Sequence, residues 1–255
     1  MKTLLSDFTI SGVSIELDEN VLILRYGEKI FDIFFDLEAR DSYLDLLKAI
    51  NYDPDIKVVL TLNEHGCLGD EPYERYIKKL SGQSVPVEIE AVWNVHENLE
   101  RARQLNFHHY TIEQRLKSKK IMVDGLQGTV VTPFFGESLS ADIRFVSEDF
   151  KFSLAHKKYG IHPTGGLPFF LPRYVGQGKA NEILLATDVI DAKTALDLGL
   201  VTRIIPNEDF ESSSIQAAKE LACLSPVTVS LSKLLSFRDK QSLQDYFEFE
   251  RNHFK

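Results

Sequence analysis

A chain of 255 residues, 44 % hydrophobic and 26 % charged, is long enough to bury a full core and has a globular composition, which excludes the disordered and fibrous classes. Its net charge of −9 opposes a nucleic-acid or anionic-membrane surface, because phosphate binding needs a positive field. Two distant cysteines, Cys67 and Cys223, lie outside any metal-ligand spacing, and no stretch reaches the roughly 18 apolar residues of a membrane span. With no signal-peptide pattern in Met1–Asn20, these features predict a cytoplasmic protein with reduced thiols and a single domain over 1–255.

In chain order, Val13–Leu17 and Val21–Leu24 predict a hairpin around Asp18-Glu19-Asn20. Asp41 or Ser42 is expected to cap a helix carrying Tyr43, Leu44, Leu46, Leu47 and Ile50 on one face, ended by Asp53-Pro54-Asp55. Ile56–Leu62 predicts a buried strand. The polar stretch from about Glu71 to Ser118 predicts helix interrupted at Val85-Pro86-Val87, and the basic cluster Arg115, Lys117, Lys119 and Lys120 reads as a solvated helix end. Further strands are expected at Ile121–Val123, Ile143–Val146 and near Phe152, with a helix from about Phe134 to Ser140 and a Gly/Pro-rich loop over Gly160–Pro168. From Gly178 onward the pattern is helical, so the fold class is α/β, with a core over about 1–200 and a helical region over about 207–255.

Four segments, in order, resemble the crotonase (enoyl-CoA hydratase/isomerase) superfamily. They are IKVVLTLNEHGCLGD at Ile56–Asp70, KIMVDGLQGTVVTPFFGESLSAD at Lys120–Asp142, FSLAHKKYGIHPTGGLPFFLPRYVG at Phe152–Gly176, and ATDVIDAKTALDLGLVTRIIP at Ala186–Pro206. Ser225-Pro226 and Lys233 extend the likeness into the next helix. The resemblance implies a ββα spiral core, an acyl thioester of coenzyme A or an acyl carrier protein as substrate, no other cofactor, and a homotrimer or hexamer.

The family stabilises a thioester enolate with two backbone N–H groups, which need no reorganisation when charge develops. On the resemblance, Leu68 supplies the first. An ungapped reading from Gly128 to Asp142 puts Pro133, which has no N–H, at the second, and a one-residue shift lets Phe134 donate. The two glutamates of a hydratase fall on Gly136, beside Glu137, and on His156, four residues before Gly160. His156 is therefore the leading acid/base candidate and Glu137 the second, with a helix-first-turn acid as the plainer reading of Glu137. Tyr159 could reach the same loop, and Lys233 matches a lysine near the nucleotide end of CoA in a neighbouring subunit, or is an exposed helix lysine. Phe134, Phe135, Phe169 and Phe170 are expected either to line an acyl pocket or to pack in the core.

Two other readings stay open. His156 with Gly160-Ile161-His162-Pro163 is similar to β-diketone C–C hydrolases of the 6-oxocamphor hydrolase type, although Thr164-Gly165-Gly166 stands where they carry an orienting aspartate. A non-catalytic binding protein on the same fold is the third reading. The adjacent pair His108-His109 carries no metal-ligand spacing, because neighbouring helix residues point apart, and no metal is expected.

Overall fold

The computed structural model describes residues 8–82, 99–236 and 239–252. Strands β1 (Val13–Asp18) and β2 (Val21–Tyr26) form the expected antiparallel hairpin, turning at Glu19 with φ 57°. Parallel pairing then adds β3 (Val58–Asn63), β4 (Ile121–Leu126), β6 (Ile143–Ser147) and β9 (Arg203–Ile205) to make a six-stranded sheet in the order β1-β2-β3-β4-β6-β9. A three-stranded sheet joins β5 (Thr129–Val131), β7 (Lys151–Ser153) and β8 (Val189–Asp191).

The helices are α1 (Leu37–Tyr52), α2 (Asp70–Ser81), α3 (Leu99–Lys117), α4 (Thr132–Ser138), α5 (Leu167–Val175), α6 (Gln177–Ala186), α7 (Ala192–Asp197), α8 (Phe210–Ala222), α9 (Pro226–Ser236) and α10 (Lys240–Asn252). No described helix is long and apolar enough to cross a membrane. The helical C-terminal region is present as expected. Val85-Pro86-Val87 lies outside the described residues.

The inner strands β2, β3 and β4 of the large sheet are buried on both faces. Val21, Ile23, Val58, Leu60 and Val123 pack with Phe210, Ala217 and Ala218 of α8, while Leu22, Leu24, Val59 and Met122 belong to the larger core. Two-sided burial is why these strands read as aliphatic runs and not as alternating ones. Gly125 sits in β4 because a Cβ there would lie 2.5 Å from Leu62 Cδ2 and 3.4 Å from the Phe210 ring.

Two boundaries differ from expectation. Helix α1 begins at Leu37, with Asp36 Oδ1 accepting the Ala39 N–H at 3.0 Å, so Asp36 is the cap and Asp41 and Ser42 lie inside the helix. Helix α4 begins at Thr132, with Pro133 in its first turn, where a missing N–H leaves no helical bond unmade.

Helix α3 carries a buried polar stripe. Arg101, Gln104, His108, Thr111 and Arg115 recur at helical spacing, and each is at most 5 % exposed. The solvated-helix-end reading of Arg115 is thereby corrected, since its guanidinium lies inside the protein. Lys117 does lie exposed, paired with Glu113 at 2.6 Å.

Phe135 stacks on Phe152 with ring centroids 4.1 Å apart and is fully buried. It belongs to the core and not to an acyl pocket. Phe135→Ala is expected to destabilise the fold by about 3–5 kcal/mol, measured as a lower midpoint in urea denaturation.

Candidate active site

After β3 the chain turns through Gly66, whose φ is +85°. The Cys67 N–H bonds Glu64 O at 3.2 Å and the Gly69 N–H bonds Gly66 O at 3.1 Å. Between them the Leu68 N–H has no acceptor among the described residues, while Leu68 O accepts the Val131 N–H at 2.9 Å. That bond ties the turn to the start of α4. Of the first amides of α4, Pro133 has none, and the Phe134 N–H has no acceptor among the described residues. Leu68 and Phe134 thus present unengaged amides on two segments joined by one hydrogen bond. The Phe134 ring packs beside Tyr26, Phe31, Phe34 and His108.

His156 lies on a short 3-10 helix (Ala155–Tyr159) that ends at Gly160 with φ 61°. The imidazole is buried, with Nδ1 2.8 Å from Thr132 Oγ1. The Thr132 hydroxyl in turn donates to Ser153 O at 3.3 Å. A hydroxyl proton committed to Ser153 O leaves Thr132 Oγ1 to accept from Nδ1–H, the tautomer in which Nε2 keeps its lone pair. No described group bonds Nε2. Burial first, then the charges of Lys157 and Arg101, push the His156 pKa down to about 4, so the ring is neutral at neutral pH.

The positions aligned with the family's first glutamate are closed by packing. A Cβ on Gly136 would approach Thr164 O and Gly165 O at 2.8 Å each, and a Cβ on Gly165, whose φ is +68°, would approach Pro133 O at 2.0 Å. Loop and helix meet here backbone to backbone, and both contacts require glycine.

Glu137 falls in the last turn of α4, not the first, and is 3 % exposed. Its Oε2 is 2.6 Å from His108 Nδ1 and its Oε1 is 3.5 Å from Arg115 Nη1. Arg115 also meets Asp124 Oδ1 at 2.5 Å. Burial opposes the guanidinium charge, but Asp124 and Glu137 outweigh it and raise Arg115 above its ordinary value. Burial raises Asp124, with Arg115 opposing. The hydroxyls of Tyr26 and Tyr43 pair at 2.5 Å nearby and are held protonated by burial.

His108 and His109 point apart, as their adjacency requires. His109 Nε2 bonds Glu250 of α10, and its ring stacks on Phe247 at 4.0 Å. Among the described residues no group of three or more His, Cys, Asp or Glu side chains is placed to hold a metal ion.

The other predicted site residues are engaged within the chain. The Tyr159 hydroxyl donates to Glu74 Oε2 at 3.3 Å. Lys233 is not an exposed helix lysine: its Nζ donates to Lys120 O and to Asp142 Oδ2, each at 2.7 Å. Phe169 packs against Phe170 and Tyr246, with the Arg173 guanidinium 3.4 Å from its ring centroid. Outside the Leu68 turn a cleft of about 520 Å³ is lined by Glu28, Glu64, Asp70, Glu71 and Arg75 among others. Sequence reasoning missed Thr132, His108 and Arg115. A hydroxyl at the start of α4 was the available signal for Thr132.

Because the folded protein holds His156 neutral down to about pH 4 and the unfolded chain protonates it below about 6.5, its stabilising contribution is complete above 6.5 and falls as pH drops towards 4. Denaturant titrations of wild type and His156→Gln are expected to differ in slope within that window by up to about 1.4 kcal/mol per pH unit, with the steeper loss in wild type. Arg115→Leu would leave buried Asp124 without its cationic partner and Glu137 with His108 alone, and is expected to cost about 3–5 kcal/mol by the same measurement.

The enoyl-CoA hydratase/isomerase family model matches residues 93–255. The chain is 30 % identical over 111 residues to a probable peroxisomal enoyl-CoA hydratase of Arabidopsis thaliana, covering 44 % of this chain and 40 % of that protein. To a probable enoyl-CoA hydratase of Bacillus subtilis it is 33 % identical over 147 residues, covering 55 % and 56 %. The matches thus span about two fifths to just over half the length of these relatives. In fold it is similar to the crystal structure of enoyl-CoA hydratase from Bacillus halodurans, with a TM-score of 0.75 at 20 % identity over 96 % of this chain and 94 % of that one. With the crotonase order of segments and the fold in agreement, the chain belongs to the enoyl-CoA hydratase/isomerase family.

Proposed function

We propose that this protein is an enzyme acting on an acyl thioester, of coenzyme A or of an acyl carrier protein, through an enolate held by the Leu68 and Phe134 N–H groups, with His156 as the base. The observation that carries this reading is the Val131-to-Leu68 hydrogen bond of 2.9 Å, which holds the two unengaged amides on adjoining segments. In this scheme His156 Nε2 takes a proton from the carbon next to the thioester carbonyl, and the electron pair moves onto the carbonyl oxygen. That oxygen then accepts from the two amides, which are aimed before charge develops.

A histidine lowered to about 4 has nearly the basicity of a free glutamate, about 4.3. It therefore substitutes in strength, as well as in place, for the hydratase glutamate that the family resemblance puts there. Thr132 supplies the tautomer control that an aspartate gives elsewhere. Glu137, bonded to His108 and Arg115, acts in this scheme by positioning α4. We place the protein in the cytoplasm as one crotonase-like domain. The outward face of α9, with Val227 67 %, Leu231 52 % and Leu234 60 % exposed, supports assembly into a homotrimer or hexamer.

The test is deuterium exchange at the α-carbon of short acyl thioesters, followed by mass spectrometry. The cleft outside Leu68 carries more carboxylates than cations, so the panel pairs each CoA thioester with its uncharged N-acetylcysteamine counterpart. Exchange is expected to fall about 10²–10⁴-fold in His156→Ala, with a smaller loss in Thr132→Val. Its rate in wild type is expected to stay level from pH 5 to 8 and to decline near pH 4. Hydrolysis of a cyclic β-diketone without any thioester exchange would shift the reading to C–C cleavage, and inertness towards both would leave a binding protein.

A further inference from the structure

At the opposite end of the parallel sheet lies a second cleft, of about 340 Å³. It is bounded by Lys57 and Ile121, where β3 and β4 begin, whereas Leu68 and Thr132 follow the far ends of β3 and of the β4–β5 segment. Strands of this length put roughly 16 Å between the two ends, so the cleft is separate from the candidate active site.

Its walls are apolar, formed by Ile56, Ile121, Leu221, Leu224 and Val229, and its polar rim is cationic, formed by Lys57, Lys119 and Lys120. Among the described residues no Asp or Glu lines it, although acidic residues outnumber basic ones 38 to 29 in the chain. Lys57 and Lys119 form no ion pair among the described residues. Lys120 donates to the Asp53 carbonyl at 2.5 Å, and its partial burial disfavours the charged form, with Asp53 opposing. Elsewhere on this protein surface lysines are commonly paired, as Lys48, Lys78, Lys158 and Lys219 are. Pro226, Val229 and Ser230 put one face of α9 on the cleft, while Val227, Leu231 and Leu234 lie on another.

An apolar trough with an uncompensated cationic rim matches a molecule with one alkyl chain and one anionic end. The chain gains by leaving water, and the head group meets Lys57 and Lys119, which pair with no carboxylate among the described residues. We infer that this cleft binds a single-chain amphiphilic carboxylate, of the medium-chain fatty acid class, at a site independent of the candidate active site. Two unpaired lysines, Lys57 and Lys119, beside the partly buried Lys120 fit a small anionic head group better than a zwitterionic or cationic one.

Calorimetric titration of the full chain with hexanoate, octanoate and decanoate, each below its micelle concentration, tests this. Burial of about 0.8 kcal/mol per methylene gives an affinity rise of about fourfold per CH₂, and roughly 200-fold from hexanoate to decanoate. Decanol, with the same chain and no charge, is expected to bind at least fivefold more weakly than decanoate, and added salt to narrow that gap. The double variant Lys57→Glu/Lys119→Glu is expected to lose at least fivefold in decanoate affinity with an unchanged thermal midpoint, since these side chains hold no structural partner. Ser230→Phe, which fills the trough, is expected to abolish binding while leaving His156-dependent thioester exchange intact.

Failure of decanoate to bind overturns the proposal, as does equal binding of decanol or of the double variant. So does binding that appears only after Leu231→Glu dissociates an assembly in sedimentation velocity, because the cleft would then be a subunit contact.

Discussion

The arrangement around the candidate site depends on one buried cation. Arg115 comes from α3, Asp124 from the middle of β4 and Glu137 from the last turn of α4, and the guanidinium meets both carboxylates out of contact with water. Each charge alone would be too costly to bury, so the three elements that carry them must be assembled together. His108 completes the set through Glu137. Helix α4 spans only seven residues and lacks a side-chain cap at its start, so its own hydrogen bonds would not hold it. Its position is set from outside: by Glu137 on one side, by Val131 bonded to Leu68 at the N-terminal end, and by Arg144, whose Nη1 donates to Ser138 O and Ala141 O, at the C-terminal end. A cation at helix C-terminal carbonyls is also favoured by the helix dipole.

The same buried polarity explains what could be read from the sequence and what could not. The hairpin, the strands at β3, β4 and β6 and the C-terminal helices follow from aliphatic runs, turn residues and helical periodicity, and the structure has them within a few residues. Helix α3 is poorly marked in the sequence because the residues it buries interleave Arg101, Gln104, His108, Thr111 and Arg115 with Leu105, Phe107 and Ile112. A hydrophobic pattern cannot flag polar residues such as His108 and Arg115, whose burial is compensated by partners distant in sequence. Glu137 and Lys233 illustrate the same limit, since each reads as accessible in the sequence and each is engaged by a buried or partly buried counter-charge, Arg115 and Asp142. Thr132 escaped notice for a different reason: its hydroxyl matters only because β7 brings Ser153 and then His156 beside it.

Replacement of a glutamate by a histidine changes less than the residue names suggest. An exposed imidazole would be protonated over part of the physiological range and would be a stronger base than a carboxylate. Burial at His156, helped by Lys157 and Arg101, removes most of that difference. What the histidine alters is geometry and charge: a neutral base with one committed nitrogen takes up a proton and becomes cationic, next to an oxygen that becomes anionic. In the proposed scheme this pairing would favour the enolate further, where a glutamate that has taken the same proton is neutral.

The second departure from the hydratase pattern has a steric origin. At Gly136 a side chain of any kind would run into the carbonyls of Thr164 and Gly165, and Gly165 is itself pressed against Pro133. The loop that carries the Gly-Gly pair occupies the space a glutamate at Gly136 would use, and the helix start carries a residue that needs no amide partner there. Pro133, Gly136 and Gly165 therefore form one packing solution and not three separate losses. Restoring a glutamate at Gly136 alone would separate loop from helix before it supplied an acid, whereas the Phe134 amide, one residue beyond the proline, leaves the donor function available without disturbing that contact. On this packing, the proposed enolate chemistry runs with a single base, His156.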